Sequence, residues 1–318
     1  MKKLILLILL SVLLSLFAAC GEETEQEIDY SLNMNTEYPV PKPSGGTGES
    51  VPVILLLGQS NASGCSIVEY LKLNTDESTF EKYNNGFDDI LINYCIDDHS
   101  FTSNGEFVAV NLECGCGEGF FGPEVGMAET LTESFPGQRF IILKYTMSGY
   151  SLAHHWLDEG QRGDIYTAFL KFAKTYMTLL SENGYRPTLE CICWMQGESD
   201  TAEENALNYY DNQICFINYL REDLGMYNDD CIYFIDAGIS QSPYCLPGYP
   251  TVNEAKRLIS LQSDYNMYFS TIDMGLTTLY EPDYDPDLGH YDSLSEIKLG
   301  NTFGQYIAKA LEDRYGEE

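Results

Sequence analysis

The sequence predicts an α/β fold, a three-layer α/β/α sandwich around a mainly parallel five-stranded sheet. Three observations predict it. Short, continuously apolar runs recur along the chain, as expected of strands buried on both faces of a parallel sheet. Between them lie segments whose apolar residues recur at spacings of three and four, the signature of amphipathic helices. The two patterns alternate as strand–crossover–strand units do, with right-handed connections and helices on both faces of the sheet. A chain of 318 residues with no long polar tract through its main body suits one large domain.

The first element is Val51-Pro52-Val53-Ile54-Leu55-Leu56-Leu57, an unbroken apolar run halted by Gly58, so a buried strand is expected with Ser60 just beyond its C-terminal end. The stretch from Ser66 to Phe121 is rich in Asn, Asp, Gly and Tyr, fits the alternation poorly and reads as a large insertion near the site. Arg139 to Thr146, containing Phe140-Ile141-Ile142-Leu143, reads as the second strand, with Met147-Ser148-Gly149-Tyr150 as its loop. Asp164 is the expected N-cap of a helix that carries Ile165, Phe169, Phe172, Tyr176 and Leu179 and closes at Asn183-Gly184. Thr188 to Met195 is the third strand, after which Thr201 and Glu204 form a capping box for a helix through Leu207, Tyr210, Ile214, Ile217 and Leu220. Cys231 to Asp236 is a fourth strand and Met267 to Asp273 a fifth. Ser293 with Glu296 is the expected cap of a last helix bearing Ile297, Phe303, Ile307 and Leu311.

At the N-terminus, Lys2 and Lys3 precede an apolar run from Leu4 to Ala19 that ends at Cys20, the layout of an export leader over residues 1–20. Leu16-Phe17-Ala18-Ala19-Cys20 resembles a bacterial lipobox, which implies lipid on the Cys20 sulfur and an extracytoplasmic chain anchored to a bacterial membrane. Residues 21–50 are acidic, poor in aliphatic side chains and supplied with proline and glycine, so a flexible tether with a reach of roughly 30 Å is expected. Residues 51–318 are left for the folded domain. The formal net charge of −32 excludes unaided attraction to nucleic acid or an anionic bilayer and favours neutral substrates; solubility alone would also account for it. Ten cysteines less Cys20 leave an odd number, so not all can pair within the chain. Cys114 and Cys116, like Cys191 and Cys193, are two apart with no histidine at zinc-ligand spacing; they read as small buried apolar residues, and no metal site is expected.

The loops after the first three strands bring Ser60, Gly149 and Gln196 to the C-terminal edge of the sheet, where ligands of such sheets bind. A serine hydroxyl is a weak nucleophile at neutral pH and needs an adjacent base, usually a histidine oriented by a carboxylate. Of four histidines, His290 follows Asp287 in Asp285-Pro286-Asp287-Leu288-Gly289-His290, a loop held open by Pro286 and Gly289 before the last helix. One turn there can present both side chains to Ser60, with Asp285 as an alternative orienting carboxylate. The backbone amides of Ser60 and Gly149 and the side chain of Gln196 suit the oxyanion of a tetrahedral intermediate, where one donor is worth about 3–4 kcal/mol of barrier. This chemistry requires no metal or organic cofactor.

On these residues the chain resembles the SGNH hydrolase superfamily, specifically the sialate O-acetylesterase-like group of carbohydrate acetylesterases. The matching stretches are Gly58-Gln59-Ser60-Asn61, Phe121-Gly122-Pro123-Glu124, Lys144 to Leu152 ending near Trp156, Trp194-Met195-Gln196-Gly197-Glu198-Ser199-Asp200, and Asp287-Leu288-Gly289-His290. The resemblance implies Ser60 as nucleophile, His290 as base, Asp287 as its orienting partner, Gly149 and Gln196 as oxyanion donors, and an acetylated glycan as substrate. Gln59, Asn61, Tyr150 and Glu198 are candidate substrate contacts. Where the family usually carries Gly-Gly-Thr, this chain has Ser148-Gly149-Tyr150.

Several residues carry a second, plainer reading. Glu198 and Asp200 could pass for a catalytic carboxylate pair, but acids beside a loop and a helix start are more often caps and hydrogen-bond partners, and Glu124 reads likewise. His154 and His155 either line the substrate or sit half exposed at a helix start. Trp194, on a strand, reads as core rather than as a sugar platform. Two other functions use the same scaffold: a surface glycan-binding module without turnover, against which Ser60, Asp287 and His290 argue, and a lipase or thioesterase, for which no apolar lid sequence is evident.

Overall fold

The computed structural model describes residues 32–39, 48–279, 281 and 287–316. The leader with Cys20, most of the stretch read as a tether, and Asp285 lie outside the described residues.

Strand β1 (Ser50–Gly58) is buried from Val51 onward, and each such aliphatic side chain contributes about 1.5–3 kcal/mol by leaving water. That burial puts β1 at the centre of the sheet. A single helical turn, α1 (Ser60–Ser63), follows directly. Helices α2 (Val68–Asn74) and α3 (Glu77–Asn85) lead to β2 (Phe87–Ile96), β3 (Phe101–Thr102) and β4 (Val108–Val110). The remaining elements alternate: α4 (Glu124–Ser134), β5 (Phe140–Thr146), α5 (Asp164–Glu182), β6 (Arg186–Met195), α6 (Glu203–Leu224), β7 (Tyr233–Ala237), α7 (Tyr249–Ser260), β8 (Asn266–Phe269) and α8 (Ser293–Tyr315).

The strands form one sheet in the order β8-β7-β6-β1-β5-β2-β3, with β4 also paired to β2. Every pairing from β8 to β2 is parallel, and β3 and β4 run antiparallel to β2. The α/β/α architecture is as expected, but the sheet has eight strands rather than five. The extra ones all come from the Ser66–Phe121 stretch read as an insertion. Asp88, Asp89 and Asn93 interrupt the apolar run of β2, and its position near the sheet edge leaves Asp88 exposed, so it lacks the pattern of a doubly buried strand.

Alternation along β5 divides the two faces. Tyr145 points into an aromatic cluster with Trp156, Phe169 of α5 and, through Trp156, Trp194 of β6 and Phe216 of α6. Its neighbour Lys144 points the other way and is fully buried against Glu124 of α4, Nζ to Oε2 2.7 Å.

The helix starts differ in detail from expectation. Gly163, not Asp164, occupies the cap position of α5, and the Asp164 carboxylate accepts the Leu32 amide at 2.6 Å. Helix α6 starts after Ala202, while the Thr201 hydroxyl donates to Glu198 O. The cap of α8 is Asp292, which accepts the Ser295 amide, one residue before the Ser293 expected. Asp164 and Ser293 are taken by partners outside the helix, Leu32 and Glu281, and Thr201 by the preceding turn, so none serves the cap that the local motif suggests. Residues 32–39, within the stretch read as a tether, lie against the domain: the Tyr38 hydroxyl donates to Ala168 O at 2.8 Å, its ring stacks on His99, and the Tyr176 hydroxyl donates to Pro39 O.

Candidate active site

The site begins with the register of three strands. Gly58 at the end of β1 pairs with Thr146 of β5 on one side and Met195 of β6 on the other, so the three loops leave the sheet at one level. The chain crosses to β2 and β5 on one side of β1 and to β6, β7 and β8 on the other, which makes the end of β1 the switch point where an open parallel sheet leaves a crevice. Gly58 is required there. Its φ is +147°, and a Cβ on it would lie 1.9 Å from Met195 O.

Ser60 opens α1 and is half-buried, with an N–H that has no acceptor inside the helical turn. It lines a cleft of about 320 Å³ together with Gln59, Glu198, Ser199, Tyr244, Cys245, Asp287, Gly289 and His290. His290 Nδ1 lies 2.5 Å from Asp287 Oδ2, and the Gly289 amide donates to the other oxygen, Oδ1, at 2.9 Å. Burial alone would raise the Asp287 carboxyl, but the hydrogen bonds from His290 and Gly289 and the imidazole charge outweigh it and hold the carboxyl below its ordinary value. With Nδ1 engaged as donor, Nε2 of His290 is left as the proton acceptor. Among the described residues the Ser60 hydroxyl forms no hydrogen bond, and serine–histidine contacts in unliganded sites often tighten only with substrate.

Asn61 ties the Ser60 turn to the His290 loop. Its Nδ2 donates to Glu198 Oε1 at 2.7 Å and to Gly289 O at 3.3 Å, while its Oδ1 accepts the Tyr291 amide at 3.1 Å. Gln59 performs the same service toward β6: its Oε1 accepts the amides of Gly197 and Ser199. Both were expected to touch substrate; the structure uses both as braces, with Gln59 also lining the cleft and Asn61 1% exposed. Glu198 does line the cleft. Burial raises its carboxyl, the Asn61 hydrogen bond and the charges of Lys256 and His290 oppose this, and Oε2 is shielded without a partner among the described residues.

Gln196 does not match its expected role as an oxyanion donor. It is fully buried, and its amide nitrogen donates to Asp200 Oδ2 at 2.5 Å and to Tyr150 O at 3.4 Å, while its oxygen accepts the Tyr209 hydroxyl. Asp200 also accepts the amides of Leu152 and Ala153, so this pair fixes the loop after β5 to the loop after β6. Gly149, exposed with φ +80°, and Tyr150, packed edge-on against His155, sit on that loop outside the residues lining the cleft. His155 bonds Ser151 and His154 bonds Asn205, away from the cleft lining. Trp194 is core. The motif acid Glu124 is structural: it accepts the Gly122 amide and the Lys144 ammonium, which also donates to Cys114 O.

Residues 50–309 match the family described as carbohydrate esterase, sialic acid-specific acetylesterase. The chain belongs to this carbohydrate esterase family. Membership makes it a carboxylic ester hydrolase of the carbohydrate acetylesterase type. No curated protein matches the sequence. Among solved structures the esterase is similar in fold to a protein from Arabidopsis thaliana, at 16% identity and a TM-score of 0.58 over 82% of this chain and 98% of that one. It is likewise similar to NanS, at 14% identity and a TM-score of 0.56 over 84% and 99%. A third similar structure is a carbohydrate acetylesterase from Xanthomonas citri, at 15% identity and a TM-score of 0.50, covering 83% of the esterase but 56% of that chain.

Sequence reading missed Ser199, Tyr244 and Cys245 as cleft residues of the esterase. A signal existed for two of them: Gln241-Ser242-Pro243-Tyr244-Cys245 follows the fourth expected strand and so leaves the sheet at the same edge. Tyr244 is 70% exposed at the rim, whereas its neighbour Cys245 is buried against the hydroxyls of Ser240 and Ser242. Among the described residues no three His, Cys, Asp or Glu side chains converge as metal ligands.

Proposed function

We propose that this esterase removes O-acetyl groups from carbohydrate, of the acetylxylan or O-acetyl sialic acid type, with Ser60, His290 and Asp287 as its catalytic triad. The observation that carries the reading is the His290–Asp287 pair facing the cleft that Ser60 lines. Ser60 Oγ attacks the ester carbonyl carbon as His290 Nε2 takes its proton, and Asp287 holds Nδ1–H and stabilises the imidazolium. The oxyanion is met by the N–H of Ser60 at the start of α1, which has no acceptor inside the helical turn. His290 then protonates the departing sugar oxygen, leaving acetyl-Ser60. A water molecule, deprotonated by His290, attacks the acetyl carbon, releases acetate and restores the serine.

The test is acetate release from acetylated xylan, O-acetyl sialosides and acetylated pectin by the wild type and by Ser60→Ala. Loss of release in the variant supports the assignment, and equal release by both overturns it. Glycan binding without labelling of Ser60 by a fluorophosphonate would instead identify a binding module. The same reading includes a lipid anchor at Cys20, supported by the lipobox-like order of residues 16–20. Detergent-phase partitioning that disappears in Cys20→Ser supports it; unchanged partitioning refutes it.

A further inference from the structure

Immediately beyond α1, two cysteines from distant parts of the chain meet. Cys65 Sγ and Cys116 Sγ are 3.0 Å apart, and both residues are half-buried rather than sealed in the core. Among the described cysteines no other two sulfurs are in contact. A disulfide is about 2.05 Å long, so closure needs each sulfur to move by about half an ångström.

The backbone around them already holds the two segments together. The Cys116 amide donates to Gly64 O at 3.0 Å, and Ser66 and Ile67 pair with Phe121 and Phe120. These bonds bracket the cysteines on both sides. The chemistry is asymmetric: the contact with Cys65, opposed by burial and assisted by the Lys144 ammonium, lowers the Cys116 thiol, while the same contact and burial raise Cys65.

The segment they hold carries Ser60 and touches the His290 loop. Ser60 lies five residues before Cys65, and the Gly64 amide closes α1 on Ser60 O. Directly after Cys65, the Ser66 hydroxyl donates to Tyr291 O at 2.7 Å, next to His290.

We propose that Cys65 and Cys116 are a redox modification site that closes to a disulfide and staples the Ser60 turn and the His290 loop to the stretch before α4. The oxidant is a small or protein disulfide. The Cys116 thiolate attacks one sulfur of that disulfide and expels the other as a thiolate, giving a mixed disulfide. Cys65 then loses its proton and attacks Cys116 Sγ, expelling the second thiolate. Two protein thiols become one disulfide, the oxidant is reduced to two thiols, and the two protons go to the departing thiolates. Closure also restricts the roughly fifty intervening residues in the unfolded chain, so the oxidised protein is the more stable form.

The experiment equilibrates the reduced full-length protein in detergent with a series of oxidised and reduced glutathione mixtures, alkylates the remaining thiols, and maps peptides by mass spectrometry. A Cys65–Cys116 cross-link, two hydrogens lighter, with two fewer alkylated thiols and a melting temperature at least about 5 °C higher, is the expected result. The rise should vanish in Cys65→Ser, in Cys116→Ser and in the double variant. Full alkylation of both cysteines across the series overturns the proposal, as does a cross-link to any other cysteine or a rise that persists in the double variant. Mapping uses the unaltered chain, so the result depends neither on a variant folding nor on Ser60 being the nucleophile.

Discussion

Asn61 and Gln59 flank Ser60 in sequence; both hold it to the loop after β6, and Asn61 also holds it to the His290 loop. Because Asn61 is buried and satisfied by three partners, removing its amide leaves Gly289 O, the Tyr291 N–H and Glu198 Oε1 short of a partner, at about 1–3 kcal/mol each. Asn61→Ala should lower kcat by about 100-fold through misplacement of the histidine loop, with KM nearly unchanged, as steady-state kinetics on a small acetyl ester can read. Asp287→Asn should cost about 10²–10⁴-fold in kcat by releasing the imidazole tautomer. The lowered Asp287 carboxyl fixes a sign as well: the carboxylate that accepts the His290 and Gly289 hydrogen bonds is present at neutral pH and is lost only on acidification through that lowered value. Tyr244 makes a contrasting prediction. Its exposed ring at the rim offers a face to a sugar, so Tyr244→Ala should raise KM several-fold on acetylated glycan and leave hydrolysis of p-nitrophenyl acetate unchanged.

Between elements, the buried Lys144–Glu124 pair joins β5 to α4. Each charge is tolerable in the core only with the other, so Lys144→Ala should destabilise by about 3–5 kcal/mol in urea unfolding, and Lys144→Met combined with Glu124→Gln should recover most of it. Glu296 on the inner face of α8 has no such partner. It is fully buried, both carboxyl oxygens lack a hydrogen bond among the described residues, and burial together with the nearby Glu124 raises it well above 4.5. Folding therefore takes up a proton above that pH, and stability falls as pH rises toward the folded value. Glu296→Gln should match the wild type near pH 4.5 and become more stable by about 1.4 kcal/mol per pH unit above it, measured as the difference between two urea titrations.

At the scale of the molecule, a net charge of −32 means that self-repulsion opposes compactness, so raising salt from 10 to 200 mM should raise the melting temperature by a few degrees. The sequence by itself determined the alternation of strands and helices and the central, doubly buried β1, because continuous apolar runs and periods of three and four report burial directly. It also located Ser60 and the Asp287–His290 loop, since glycine and proline punctuation marks where strands end. Only the tertiary structure decided which polar side chains remain available. Gln196, Asn61 and Gln59 read as site residues and proved to be held by partners up to 230 residues away. The placement of β2 in the sheet, the Tyr244 rim and the Cys65–Cys116 contact depend on pairings between distant segments. A local pattern records what a residue prefers to bury, but hydrogen bonds and sulfur contacts are settled by what the fold brings beside it.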